Sequence, residues 1–300
     1  MIWVNQIIQG ILLGGYYALI ACGLSFMFSV MRIINLAHGS LAVVAAYALW
    51  FLASRFGIMP FEGLLIVLPA MAAVGWLLQR YLLERSVRAG PLVPILSTFG
   101  LAIVVENLLF EQFGADTKSL APFIGSLSYD SWQVSADIYI GKLSVLIFAA
   151  AIALLGGMQL LLARTALGRA IRATSENPAT VGLLGIDARA VNAIATAIAM
   201  VTVGIAGAAL AARATFNPYS GPLQLVFAFE AAVIGGSESL WGTLLGGIVF
   251  GVAQTLGAEI SPQGFLIAGH LMFMAVLVAR TFLTHGGTWL AAGKILGRSP

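Results

Sequence analysis

Residues 32–41 read RIINLAHGSL and set Arg32, Asn35, His38, Gly39 and Ser40 between two long apolar stretches. In hydrocarbon each polar group must find a partner or cost several kcal/mol, so a plain membrane helix has no use for this cluster. Asn35, His38 and Gly39 stand at i, i+3, i+4, the spacing of one helix face, and a glycine on that face admits a second backbone. Asn35 also suits the cap of a helix beginning at Leu36. His38 as a metal ligand lacks company: His270 and His285 are the only other histidines, and a closed metal site needs several ligands. A hydrogen-bonded imidazole at a helix bend is the plainer reading, and no metal is expected.

A second polar interruption, GGSESLWG at Gly235–Gly242, combines Gly235, Gly236, Ser237 and Glu238 in the other half of the chain. Glycine and serine there predict that helical hydrogen bonding stops. Transporters built from inverted repeats bring broken helices together near the midplane, where half-helix ends offer unpaired N–H or C=O groups to a polar substrate. RIINLAHGSL and GGSESLWG then read either as the two halves of such a site or as two unrelated loops. Glu106 and Glu230 are the carboxylates within the spans, and ion coupling through either is a second reading.

Other chemistry is poorly represented. A Walker A loop ends in GK followed by Ser or Thr, and none of Lys118, Lys142 and Lys294 ends one. HExxH, GxSxG and close carboxylate pairs are missing from the spans, so transport is a better class than hydrolysis. Cys22 is the single cysteine, which excludes an intrachain disulfide and a cysteine metal cluster; it reads as packing.

The elements that must hold these residues are membrane helices. Of 300 residues 60% are hydrophobic and 9% charged, where a soluble domain carries about 25% charged. Apolar stretches run over residues 2–31, 34–52, 64–78, 92–110, 143–162, 191–212, 223–236, 240–256 and 265–282, most near the ~20 residues of a crossing. Residues 2–31 carry no charge and form a retained first span, not a cleaved leader. The stretch 223–236 is short, and 223–256 reads either as two short crossings or as one re-entrant hairpin. The fold class is all-α and polytopic, with about eight or nine segments, discontinuous helices and an inverted repeat, in one domain over residues 1–300.

The 15 Lys and Arg are scattered, which excludes a nucleic-acid stripe. Under the positive-inside rule the loops holding Arg80, Arg85 and Arg88 and holding Arg164, Arg169, Arg172 and Arg189 face the cytoplasm. Arg32, Arg280, Lys294 and Arg298 follow them, leaving only Arg55, Lys118, Lys142 and Arg213 outside. The N-terminus and the loop 111–142, with Glu111, Asp116, Asp130 and Asp137, are then periplasmic, and the C-terminus cytoplasmic. The cytoplasmic loop 164–190 contains Asn177 and Pro178, a strong helix start, and Gly185, a stop. A two-turn helix Pro178–Leu184 with an apolar edge of Val181 and Leu184 is expected, either a handle for a soluble partner or a plain connector.

Three stretches carry a family likeness. GGYYALIACGLSFMFSVMRIINLAHGSL (14–41), GRAIRATSENPATVGLLGID (168–187) and AAVIGGSESLWGTLLGGIVFG (231–251) resemble the smaller permease of bacterial branched-chain amino acid ABC transporters. The resemblance implies an inner-membrane subunit working with a second homologous permease as a heterodimer, two ATPase subunits and a periplasmic binding protein. ATP and Mg would sit in the ATPases, leaving this chain without cofactor or catalytic residue. It implies that Asn177, Pro178, Val181, Leu184 and Gly185 dock on the ATPase, and that Asn35, His38, Gly39, Ser40, Glu230, Gly235, Gly236 and Ser237 line or gate the path. Relatives also move urea, short amides and other amino acids. The chain departs from the family in Ser and Glu within GGSESLWG and in lacking Arg-Pro-x-Gly after the last span, where Arg280-Thr281-Phe282-Leu283 continues.

Overall fold

The computed structural model describes residues 2–135, 138–177, 180–236 and 239–296, with side chains as far as Phe282. The uncharged first stretch is one continuous helix, α1 (Ile2–Met31), and the window of it that crosses the bundle is 89% buried. It lies at the centre of the bundle, packed against the later helices of the chain. Its burial is made possible by small residues: Gly10 and Gly14 on α1 meet Gly251 and Gly247 on α10 (Leu240–Ile260), two GxxxG pairs that bring antiparallel backbones together. Hydrophobic force between helices is weak in lipid, so such close van der Waals approach is what binds the pair.

Around α1 stand α2 (His38–Phe56), α3 (Pro60–Leu77), α5 (Val93–Phe113), α6 (Lys142–Arg164), α8 (Ala188–Arg213) and α11 (Gly264–Leu296). The closest packing is between α1 and α10, with α8 packed on both α1 and α2, and α11 is peripheral, with 6% of its crossing window buried. Eight helices among the described residues are long and apolar enough to cross a membrane. α3 runs through a π-helical turn, Leu78–Leu83, into the short α4 (Glu84–Ala89).

The stretch 223–256 is neither of the two expected arrangements. α9 (Gly221–Gly235) has 15 residues, about 22 Å, too short for the ~30 Å core, while α10 has 21 and crosses fully. α9 is thus a half-helix and α10 an ordinary span.

Relative to the all-α expectation, residues 111–142 add a two-stranded antiparallel hairpin, β1 (Ser131–Ser135) and β2 (Ile138–Gly141), in register Trp132 with Ile140 and Gln133 with Tyr139. Gln9 Nε2 on α1 donates to the Tyr139 carbonyl at 2.6 Å, which ties the hairpin to one end of the bundle. The opposite end gathers Arg32, Arg80, Arg88 and Arg189, the last three on Glu84. Asp137 lies outside the described residues, as do Pro178, Ser237, Glu238 and Arg298.

Candidate functional site

Helix α1 ends at Met31, and Arg32 then takes φ 57°, a left-handed conformation that a non-glycine residue rarely adopts, which turns the chain back on itself. The segment 33–37 re-enters the bundle. His38 Nε2 donates to the Ile20 carbonyl at 2.6 Å, since a carbonyl can only accept. Ile20 lies about 16 Å up α1 from Met31, half the thickness of a hydrocarbon core. α2 therefore starts at mid-depth, and the ~20 Å reach of the six residues after Arg32 is enough to bring it there.

Asn35 shapes that start. Its Oδ1 accepts from Ala37 N at 3.0 Å, its carbonyl accepts from His38 N at 3.2 Å, and Thr98 Oγ1 on α5 accepts from Leu36 N at 3.0 Å. The helix begins at His38, not Leu36, so Asn35 closes a turn ahead of it and does not share a helix face with His38 and Gly39. That corrects the i, i+3, i+4 reading: the spacing is real, but helical geometry starts after Asn35.

The surprise is what Gly39 meets. A Cβ at Gly39 would overlap the carbonyl oxygen of Gly221, and one at Gly221 would lie 2.6 Å from Ser40 Oγ and 2.7 Å from Ser40 Cα. The start of α9 thus packs directly on the start of α2. The chain reaches it by a break that the sequence reading overlooked. After α8, Lys118 and Phe216 pair backbone to backbone, and Asn217 Oδ1 then accepts from Tyr219 N at 3.0 Å while Ser220 Oγ accepts from Asn217 N at 2.9 Å. Asn35-x-x-His38-Gly39 and Asn217-x-x-Ser220-Gly221 are the same device, an Asn-closed turn followed by a half-buried helix start with glycine at the contact. The two enter from opposite ends of the bundle, each after a long helix, α1 or α8. The break that meets RIINLAHGSL is thus 217–221, through the contact of Gly39 with Gly221. The signal was present as N-x-x-[HS]-G, and only the burial of both glycines makes it legible.

GGSESLWG serves another purpose. Gly235 packs on the Gly242 carbonyl and Gly246 on the Ala231 carbonyl, so α9 and α10 form a tight glycine-lined corner at the arginine-rich end. Gly236 has φ 91°, and Arg280 Nη2 donates to the Ile234 carbonyl at 3.0 Å. Ser237 and Glu238 lie outside the described residues. Ile34 of the first break and Ala232 and Val233, just ahead of this corner, line one cavity.

The carboxylates are held separately. Ser40 Oγ donates to Glu106 Oε1 at 2.6 Å, which places a buried carboxylate of α5 beside two helix N-termini whose aligned peptide dipoles favour negative charge. Glu230 on α9 pairs with His270 Nδ1 on α11 at 2.6 Å. Further polar contacts line α1: Tyr16 donates to Gln224 at 2.5 Å, Tyr17 donates to Gln254, and Ser25 meets Thr243 at 2.8 Å. Asn35 Nδ2 and His38 Nδ1 are fully buried with no protein partner among the described residues. Native interiors leave few polar groups in that state. Below them, Leu24, Phe28, Ile34, Phe229, Ala232 and Val233 line an apolar cavity of about 230 Å³ between α1 and α9.

Replacing Ser40 with Ala strands Glu106 Oε1 without its hydroxyl. A loss of about 1–3 kcal/mol is expected. It would appear as a lower thermal midpoint in detergent, with Ser40→Thr restoring most of it.

In the loop 164–190, Thr165 Oγ1 accepts from Gly168 N at 2.9 Å and caps α7 (Ala166–Glu176), a helix that the sequence reading did not foresee. Gly168 seats it on the carbonyls of Leu161 and Leu162. Asn177 ends α7 and its Oδ1 accepts from Thr180 N at 3.1 Å. The expected two-turn helix is a single 3₁₀ turn, Val181–Leu184, stopped by Gly185 at φ 76° as anticipated. Val181 points inward and is buried, whereas Leu183 and Leu184 are 87% and 73% exposed, so the outward apolar edge is Leu183 with Leu184 and not Val181 with Leu184. Cys22 is buried within α1.

The family model for the permease component of branched-chain amino acid transport systems matches residues 6–281. The chain is 28% identical to the high-affinity branched-chain amino acid transport system permease protein BraD of Pseudomonas aeruginosa, covering 93% of this chain and 94% of that one. It is 28% identical to the probable branched-chain amino acid transport permease protein LivH of Methanocaldococcus jannaschii (98% and 96% covered) and 26% identical to LivH of Escherichia coli (93% and 94%). No solved structure matches it. With eight crossing-length helices among the described residues and full-length likeness to these proteins, the chain belongs to the family of permease components of branched-chain amino acid transport systems.

Proposed function

We propose that the chain forms the translocation path of an ABC importer for branched-chain or other apolar amino acids, driven by two separate ATPase subunits. The observation that carries this is the meeting of α2 and α9 at mid-depth, with Asn35 Nδ2 and His38 Nδ1 buried beside it and without a protein partner among the described residues. A zwitterion crossing hydrocarbon needs partners for its charged ends, and half-helix N-termini supply N–H groups for a carboxylate. The apolar cavity next to Ile34 suits an aliphatic side chain. Asn35, His38, Gly39, Ser40 and Gly221 are the path residues in this reading, and Gly235 and Gly236 stand at the corner beneath them.

The arginine-rich end faces the cytoplasm, as the positive-inside rule requires, and puts the loop 164–190 where ATPases can dock. A second homologous permease, forming a heterodimer, and a periplasmic binding protein complete the assembly. The family itself gives no support to the ion-coupled alternative, and Glu230 already holds a histidine partner.

Reconstitution tests the proposal. In vesicles holding this chain, the second permease and both ATPases, with binding protein outside, leucine uptake should require internal ATP and rise at least tenfold with it. Uptake driven by a proton or sodium gradient without the ATPases, and lost in Glu230→Gln, would overturn the proposal.

A further inference from the structure

We propose that a cleft at the hairpin end of the bundle is an outer substrate site, where Arg213 takes the carboxylate of an amino acid on its way to the α2/α9 junction. The inference rests on the reading of the chain as an amino acid permease and adds a binding residue to it. The cleft has a volume of about 150 Å³ and lies between α1, α6, α10, the end of α8 and the start of α11. Gln9, which lines it, also donates to the Tyr139 carbonyl of the hairpin, so the cleft opens at the end that faces the periplasm in the orientation given above.

The lining is divided by chemistry. Gln9, Tyr16, Ser144 and Arg213 bring polar groups, Leu12, Leu13, Ile147 and Phe265 bring hydrocarbon, and no carboxylate is among the described lining residues. Arg213 Cζ lies 5.0 Å from the centroid of the Tyr16 ring, yet Arg213 has no hydrogen bond and no ion pair with a described residue. The ring holds the guanidinium without neutralising it. A guanidinium fork matches a carboxylate with two parallel hydrogen bonds. Ser144 Oγ also bonds to no described residue, and with Gln9 Oε1 it offers acceptors for the ammonium of the same molecule. The apolar lining suits an aliphatic side chain. Tyr16 and Thr255 spend their hydroxyls on Gln224 and on the Gln6 carbonyl, so they shape the cleft.

The cleft leads inward. Gln9, Leu13, Tyr16 and Ile20 follow one another down one side of α1, each three or four residues after the last. The Ile20 carbonyl is the one that holds His38, and Tyr16 stands only about 6 Å above it along the helix axis. The Tyr16 hydroxyl reaches Gln224, three residues after Gly221 on α9. Tyr16 therefore touches Arg213 with its ring and the half-helix with its hydroxyl, which joins the cleft to the junction.

Ligands that differ in their charged ends test the assignment. The complex of this chain, its partner permease and both ATPases is placed in nanodiscs without binding protein and offered leucine, 4-methylpentanoate (leucine without its ammonium) or 3-methylbutylamine (leucine without its carboxylate). The wild-type complex should bind the first two and not the amine. Arg213→Gln should weaken both at least tenfold, with a thermal midpoint within a degree or two of wild type, because the side chain is exposed and hydrogen-bonded to no described residue. Arg213→Lys keeps the charge and loses the fork, so its affinities should fall between. Ser144→Ala should weaken leucine about threefold and leave 4-methylpentanoate as it was, a sorting by charged end that a merely structural role does not give. Leucine bound by Arg213→Gln as by wild type, the amine bound as well as leucine, or no leucine bound by a wild-type complex that imports it overturns this inference alone. A wild-type complex that imports no leucine overturns the permease reading, and this inference with it.

Discussion

Gly39→Leu abolishes transport and greatly lowers the yield of folded permease, and Gly39→Ala lowers the thermal midpoint in detergent with most of the uptake lost. The expectation follows from what lies opposite. A Cβ at Gly39 overlaps a backbone carbonyl, that of Gly221, and a backbone cannot rotate aside as a side chain can. Overpacking of a close interior contact costs about 1–3 kcal/mol even for small additions. The helix start would have to move, carrying with it Ser40 on Glu106 and His38 on Ile20, so the strain reaches every hydrogen bond of the junction. Gly221→Ala strikes the same contact from the other side, against Ser40 Cα at 2.7 Å, so the double variant should lose less than the sum of the single losses. Gly100 is the matched control. It lies within α5 with nothing within 4 Å of its would-be Cβ, and Gly100→Ala should be neutral or slightly stabilising through helix propensity. Full uptake by Gly39→Ala would remove the α2/α9 contact from the working part of the molecule.

The sequence told of spans and of polarity out of place, because both are composition. An apolar run near 20 residues is a helix in lipid for want of any alternative, and a polar cluster between two runs announces a break. It could not tell what each break faces. RIINLAHGSL was conspicuous because it carries an imidazole and an arginine, whereas NPYSGPL, its true partner at 217–223, looks like an ordinary proline turn. GGSESLWG drew attention by its polar residues, yet its glycines are spent on a corner between consecutive helices. Partnership is decided by depth and direction of entry, and neither is a local property. Residue 35 was misplaced for a related reason: helical spacing in a sequence does not say at which residue helical geometry begins, and here the turn closed by Asn35 delays it to His38.

The loop 164–190 shows the same limit at smaller scale and leads to the second large effect. Gly185 was legible as a stop because only glycine is at ease at φ 76°. The helix before Asn177 was not, since its capping residue Thr165 follows directly on the end of α6 and the polarity of its arginines masks the buried face of Gly168, Ile171 and Thr174.

Leu183→Asp combined with Leu184→Asp is expected to uncouple the transporter, cutting ATP-driven uptake more than tenfold and stripping the ATPase subunits during purification of the tagged permease. Both leucines stand almost fully in solvent on a turn at the arginine-rich end, although the turn's third apolar residue, Val181, is buried. Leaving two large side chains exposed while burying their neighbour is what a surface awaiting a partner requires. Burying a leucine is worth about 1.5–3 kcal/mol, and carrying an aspartate into the same contact adds a desolvation cost, so two substitutions exceed the margin of an ordinary interface. The fold should not respond, because neither leucine packs within this chain, and the thermal midpoint of the isolated permease should stay within a degree or two of wild type. Val181→Asp is the opposite case: at 3% exposure it would damage the loop itself and lower the midpoint. Wild-type uptake by the double aspartate variant, with the ATPases still bound, would show that the docking surface lies elsewhere. Uptake lost with the ATPases still bound would place the fault downstream of docking, in transmission from α7 through Ser175, whose hydroxyl donates to the Ser29 carbonyl near the end of α1.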